Sequence, residues 1–180
     1  ELNMPRHANF RMNSDGDKIR YISIMDDQVL WRKAYDAYET KKNGIIFKDH
    51  PYVSKVRLLI QAYQTMDVEK IKSHYSPNAR FYDVMNSVPF DKVKSLDEEF
   101  KDFSSYSEIL EIVDIREYGF PDVLDYEGDG AVVISWWVMD FKNKKSGDTS
   151  TLFQHIVHHF NDEGEIVRED YYFNPAQLPL

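Results

Sequence analysis

From His50 onward, apolar residues recur first at helical spacing and then at strand spacing. Val53, Val56, Ile60 and Tyr63 fall on one side of a helix from His50 to Met66, with Pro51 in its first turn. Asp67 caps a second, short helix carrying Val68, Ile71 and Tyr75, and Ser76-Pro77-Asn78 stops it. Ala79 to Met85 reads as a strand. Ser95-Leu96-Asp97-Glu98 has capping-box spacing ahead of Phe100, Phe103 and Tyr106, which predicts a third helix. The period then changes. Ile109 to Tyr118, Gly130 to Phe141, Thr149 to Phe160 and Ile166 to Phe173 are rich in β-branched and aromatic residues, with turns at Lys145-Ser146-Gly147-Asp148 and Asp162-Glu163-Gly164. Helix, helix, strand, helix and then antiparallel strands describe an α+β layout in which a curved sheet wraps around helices on one face.

The first 48 residues carry a second pattern. Arg6 to Gly16 matches Gln154 to Gly164, with the His (His7, His155), the Asn (Asn13, Asn161) and the Gly in one register. After a one-residue gap, Ile19 meets Ile166 and Asp27 meets Asn174. Residues 1–48 are therefore expected to be an N-terminal extension that holds the closing hairpin of a truncated preceding, similar domain, with chance similarity between two short hairpins as the alternative. A linker helix from Asp26 to Lys42 would follow, with Val29, Leu30, Ala34 and Tyr38 on one side. Residues 49–180 form the main domain. The chain begins with Glu1 rather than Met, which fits a removed signal segment or a trimmed longer chain equally.

Composition narrows the function classes. With 42% hydrophobic and 14% aromatic residues the chain can offset its ordering entropy. A net charge of −9 argues against sequence-independent binding of nucleic acid, which needs clustered cations facing phosphates. Lys142-Asn143-Lys144-Lys145 reads as a solvated hairpin tip. No apolar run approaches a membrane span. The absence of Cys removes disulfides, thiolate metal sites and a Cys nucleophile, and leaves cytoplasmic and exported locations of a soluble protein both open.

Met66-Asp67-Val68-Glu69-Lys70-Ile71, Tyr75 with Ala79-Arg80-Phe81-Tyr82-Asp83, and the ending Phe160-Asn161-Asp162-Glu163-Gly164-Glu165-Ile166 resemble the nuclear transport factor 2-like superfamily. Within it, the resemblance is to the SnoaL-like group of polyketide cyclases and ketosteroid isomerases, over about Tyr52 to Leu178. It implies a cone-shaped, cystatin-like roll: a curved antiparallel sheet around about three helices, enclosing a pocket, often in a homodimer. Asp83 matches the general base of the isomerases. The tyrosine and carboxylic acid that stabilise their oxyanion are matched by Leu59 and Ile156, which cannot donate a hydrogen bond. The acid–base Asp of the cyclases is matched by Tyr171, with Asp170 beside it and expected to point away.

Strand alternation phased by this resemblance turns Phe81 and Asp83, Trp136 and Val138, Gln154, Ile156, His158 and Phe160, and Val167, Glu169, Tyr171 and Phe173 inward. The result is an apolar cavity with few polar groups, suited to a small apolar molecule. Asp83, His158 and Glu169 are the candidate proton-moving residues, because a carboxylate buried among aromatics is pushed towards the working range of a base and His titrates near neutrality. Phe81, Trp136, Gln154, Tyr171 and Phe173 are the candidate ligand contacts. The structural alternative is that Asp83 binds a nearby amide while His158 and Glu169 form a satisfied buried pair. His155 and His159 point opposite to His158, so no metal site is expected, and no phosphate-cradling glycine loop implies a cofactor. A non-catalytic assembly module, its cavity filled by its own aromatics, is the competing functional class.

Overall fold

The computed structural model describes residues 6–26, 32, 44–47, 49–85 and 93–180. The chain divides into two units, Glu1–Asn43 and Gly44–Leu180. In the first, β1 (Arg6–Met12) and β2 (Ile19–Asp26) form an antiparallel hairpin. The helix expected from Asp26 to Lys42 lies, apart from Asp26 and Arg32, outside the described residues.

The second unit begins earlier than residue 49, because β3 (Ile45–Phe47) pairs with the main sheet. Helix α1 (Pro51–Gln64) is capped by the His50 ring, which accepts from the Tyr52 amide at 3.2 Å, and buries Val56, Leu59, Ile60 and Ala62. It ends with Met66 in the left-handed region at φ 56°, where the amides of Met66 and Asp67 reach back to the carbonyls of Tyr63 and Ala62. Glycine usually fills this position, since a side chain there costs about 1–2 kcal/mol. Asp67 caps α2 (Val68–Lys72) through the Lys70 amide at 3.1 Å.

Strand β4 (Tyr75–Asp83) starts earlier than expected: Tyr75 and Ser76-Pro77-Asn78 belong to it rather than to a helix and its stop. Tyr75 pairs with Ile166, and among the described residues the two-residue strand β5 (Lys94–Ser95) meets β4 only at Arg80 and Phe81. Pro77 thus sits on a stretch of open edge, where a missing N–H breaks no ladder. Helix α3 (Leu96–Ile109) has the expected capping box: the Ser95 amide donates to Glu98 Oε2 at 2.8 Å, and Ser95 Oγ accepts from the Glu98 amide. Then follow β6 (Leu110–Glu117), β7 (Asp122–Tyr126), β8 (Gly130–Asn143), β9 (Thr149–Phe160) and β10 (Ile166–Phe173), closed by a 3-10 turn at Pro175–Gln177.

The main sheet runs β3-β7-β8-β9-β10-β4-β5, with β6 and β7 pairing successive halves of the long β8. It is antiparallel except for β10 against β4, which are parallel. That parallel pair within a mainly antiparallel sheet is possible because α3 and five strands intervene between its members. The core packs Val56, Leu59 and Ile60 of α1 and Phe100 of α3 against Phe81, Trp137, Met139, Ile156, Phe160 and Ile166 of the sheet. No described helix is long and apolar enough to cross a membrane.

Candidate functional site

A cavity of about 200 Å³ opens between the inner face of the sheet, α1 and α3. Its apolar wall includes Ile60, Phe103, Leu110, Met139, Phe141, Leu152, Ile156 and Phe173. The polar groups come from few places. β4 supplies Asp83, β9 supplies Gln154, and β10 supplies Glu169 and Tyr171; Lys94, Glu99 and Asp102 come from β5 and α3. Asp83 pairs with Tyr171 and Phe81 with Glu169 across the parallel ladder, so the four side chains share the inward face.

Two tyrosine–carboxylate contacts organise this surface. At its floor, Tyr75 donates to Glu169 Oε2 at 2.5 Å, and the Tyr63 hydroxyl lies 3.3 Å from that of Tyr75. Tyr75 has only one proton, already committed to the carboxylate, so Tyr63 is the donor in the second bond. Burial and then the Glu169 charge push both phenols well above their ordinary pKa, which keeps them protonated donors. His158 is 1% exposed, with Nε2 3.3 Å from the same Glu169 oxygen. The distance is that of an ion pair but the angle is not that of a hydrogen bond. Neither ring nitrogen has a hydrogen-bond partner among the described residues.

Nearer the mouth, Tyr171 donates to Glu99 Oε2 at 3.2 Å, and Lys94 Nζ donates to the same oxygen at 3.1 Å while also pairing with Asp102 at 2.8 Å. Burial raises the pKa of Glu99, with Lys94 pulling against it. Burial, then the charges of Glu99, Asp83 and Glu169, raises that of Tyr171. Lys94 is lowered by burial, but its contacts with Asp102 and Glu99 outweigh this and leave it raised.

The candidate residues separate into three groups. Asp83, Glu169, Gln154, Tyr171 and Phe173 line the cavity. His158 and Phe81 are buried behind it: His158 backs Glu169, and Phe81 packs on Tyr75 and Phe100. Trp136 is on the other side of the sheet, 38% exposed and stacked on His155 at 5.0 Å. The expected phase of β8 was off by one. Ser135, Trp137, Met139 and Phe141 turn inward, and Trp137 Nε1 donates to the buried Ser135 hydroxyl at 2.9 Å. The physical reason is the β8–β9 register, which sets Trp137 opposite Gln154 and Trp136 opposite His155. With Trp136 and Val138 expected inward, alternation puts Val133 and Ser135 on the outer face; both are instead wholly buried, for the same reason.

Two residues matched to known chemistry can also be placed. Leu59 is wholly buried in the core, and Ile156 lines the cavity. Asp170 lies outside the cavity, held by Arg168 at 2.7 and 3.0 Å and by His159 at 3.3 Å. His155 contacts the Ser135 carbonyl at 2.9 Å, so the three histidines of β9 have three separate neighbours. Sequence reasoning missed Lys94, Glu99, Asp102, Tyr63 and Tyr75 as site residues. A signal existed for α3: Glu99, Asp102, Phe103 and Tyr106 recur at helical spacing and all line the cavity.

No protein-family model matches the sequence, and no curated protein matches it either. Solved structures do match. A candidate isomerase from Bacillus subtilis aligns at 18% identity and a TM-score of 0.57, over 70% of this chain and 88% of its own. A ketosteroid isomerase-like protein from Erwinia carotovora aligns at 15% and 0.54, over 71% and 98%. SalBIII, an epoxide hydrolase/cyclase-like enzyme of pyran ring formation in salinomycin, aligns at 14% and 0.55, over 71% and 93%. The chain therefore has the nuclear transport factor 2-like fold. The similar structures carry isomerase-like and cyclase-like names, and at these identities the likeness speaks for fold alone.

Proposed function

We propose that Gly44–Leu180 binds a small, mostly apolar molecule in this cavity and moves a proton on it, with Asp83 as base and Glu169 as the second proton-handling group. The observation that carries this reading is the cavity itself. It is open space with apolar walls, and Asp83, Tyr171 and Glu169 form one polar strip across it. A cavity filled by its own aromatics, as in an assembly module, would leave no such volume. At about 200 Å³ it is below the roughly 300–1,000 Å³ of sites for drug-sized ligands, so the ligand is small.

The roles follow from position. Asp83 takes a proton beside an electron-withdrawing group, and a proton is returned elsewhere on the same molecule, so nothing is oxidised or reduced. Tyr171, protonated and beside Asp83 in the ladder, orients the ligand. His158 does not reach the cavity and acts as a positioning residue behind Glu169. Among the described residues, the charged liners are the carboxylates of Asp83, Glu99, Asp102 and Glu169 against one ammonium, Lys94. That balance disfavours an anionic ligand and favours a neutral or cationic one.

Thermal-shift screening with matched neutral, amine and carboxylate compounds on one apolar scaffold tests this. The neutral or amine members should stabilise the protein, the carboxylate should not, and Asp83→Asn should weaken binding at least several-fold. Absence of binding across the set, or an Asp83→Asn profile identical to wild type, would remove the case.

We also propose that two copies pair through the outer face of the sheet. Trp136, Phe153 and Tyr118 are exposed there, with Tyr118 edge-on to Phe153 at 6.1 Å, and His155 and Tyr172 continue the aromatic row. An exposed aromatic surface of this kind supports association.

A further inference from the structure

We propose that the hairpin β1–β2 is the closing hairpin of a second domain of this same fold, built from residues that precede Arg6 in the natural protein. The two hairpins agree in register throughout. Met12 opposes Ile19 as Phe160 opposes Ile166, and Phe10 opposes Ile22 as His158 opposes Glu169. The pairing continues to Arg6 with Asp26 and to Gln154 with Phe173. Both ladders skip one residue at the same place in the returning strand, Arg20 in one and Val167 in the other. Bulges of this kind are positional features of a fold rather than accidents.

The turns agree as well. The Asn13 side chain accepts from the Asp17 amide at 3.1 Å and donates to the Asp17 carboxylate at 2.7 Å. Asn161 accepts from the Glu165 amide at 2.7 Å and donates to the Glu165 carboxylate at 3.1 Å. Gly16 and Gly164 donate to the backbone carbonyls of these asparagines at 3.1 and 3.0 Å, with φ of 70° and 77°. The N-terminal loop is one residue longer and keeps every one of these bonds.

What differs is cover. Phe10, Met12, Ile19 and Ile22 are 57%, 47%, 52% and 51% exposed, whereas their counterparts His158, Phe160, Ile166 and Glu169 are buried at 1%, 4%, 1% and 6%. In the complete domain α1 supplies part of that cover: Tyr52 stacks on Phe160 at 4.2 Å, and Lys55 donates to the Gly164 carbonyl at 2.6 Å. A lone two-stranded hairpin is marginal in water, and an apolar face this open needs an occupant. The matching register identifies that occupant as the helix corresponding to α1 in the preceding domain. There is a chemical consequence. Where Gly44–Leu180 has His158 opposite Glu169, the hairpin has Phe10 opposite Ile22, so the preceding domain's interior lacks this polar pair.

Hydrogen exchange read by mass spectrometry on the natural full-length protein and on the 180-residue chain tests the proposal. Peptides covering residues 6–26 should exchange at least tenfold more slowly in the full-length protein. Limited proteolysis should leave a resistant fragment that contains residues 6–26 and extends roughly 100 residues upstream, the length needed to complete such a domain. Equal exchange in the two forms, or too few upstream residues, overturns the proposal. So does a 180-residue chain that is dimeric until Phe10→Asp is introduced, since the face would then belong to a second copy.

Discussion

Tyr75→Phe removes one oxygen from a buried polar contact. The Tyr75 hydroxyl donates to Glu169 at 2.5 Å, on an oxygen that has no other hydrogen bond among the described residues. A hydrogen bond to a charged acceptor contributes about 1.5–3 kcal/mol, roughly twice a neutral one. The Tyr63 hydroxyl also loses its acceptor, although Tyr63 lines the cavity and can turn to water there. The expected destabilisation is about 2 kcal/mol, which for a chain of this length lowers Tm by about 4–8 °C. Tyr63→Phe breaks only the 3.3 Å neutral bond and should cost about 0.5–1 kcal/mol. The two changes share a bond, so the double variant should cost less than their sum by about 0.5 kcal/mol or more. Urea unfolding of the four proteins closes the cycle. If Tyr75→Phe costs less than Tyr63→Phe, or the two add without coupling, the donor chain from Tyr63 through Tyr75 to Glu169 is wrong.

Two further substitutions separate the faces of β8: Trp137→Ala should cost about 3–5 kcal/mol in urea unfolding, as buried aromatic truncations do, whereas Trp136→Asp should stay within about 1 kcal/mol and convert a dimer to a monomer in light scattering. A Trp136 variant that is still dimeric refutes the outer-face interface. Asp170→Asn addresses pH dependence. Burial raises the Asp170 pKa, but hydrogen bonds from His159 and Arg168 and the charge of Arg168 outweigh this and leave it lowered. A lowered pKa means stabilisation that is complete above the unfolded value and lost as pH falls through the folded one. The wild type should therefore exceed Asp170→Asn by about 1–3 kcal/mol at neutral pH, with the gap closing only below the ordinary carboxylate range. A gap independent of pH down to strongly acidic conditions would mean the ion pair contributes nothing.

The helix starts were legible because their signals are local. Ser95 and Glu98 cap α3 with groups three residues apart, and Asp67 caps α2 in the same way. The phase of β8 was not, because Val133, Ile134, Trp136, Trp137 and Val138 offer apolar side chains to both faces, so alternation alone cannot choose between them. Only the pairing of Trp137 with Gln154, a non-local fact, decides it. β3 and β7 escaped notice for a related reason: three and five residues are too few to show a period. Glu99 was hidden by respectability, since an acidic residue in the first turn of a helix is expected on electrostatic grounds and needs no cavity to explain it.

The site that emerges is organised by β10 more than by Asp83 alone. Glu169 and Tyr171, two residues apart on one face, each join a tyrosine–carboxylate contact, one with Tyr75 on the floor and one with Glu99 nearer the mouth. The two carboxylates differ in what else holds them. Lys94 supplies an ammonium to Glu99, while Glu169 has only the phenol of Tyr75 and the ring of His158 within reach among the described residues. The mouth therefore has one ammonium shared by the carboxylates of Glu99 and Asp102, the floor has none among the described residues, and Asp83 stands opposite Tyr171 in the ladder. A ligand that seats its apolar body against Met139, Phe141 and Leu152 would present its polar end to that floor. It gains most there if that end donates a hydrogen bond or carries a positive charge, which is the preference the ligand series is designed to read.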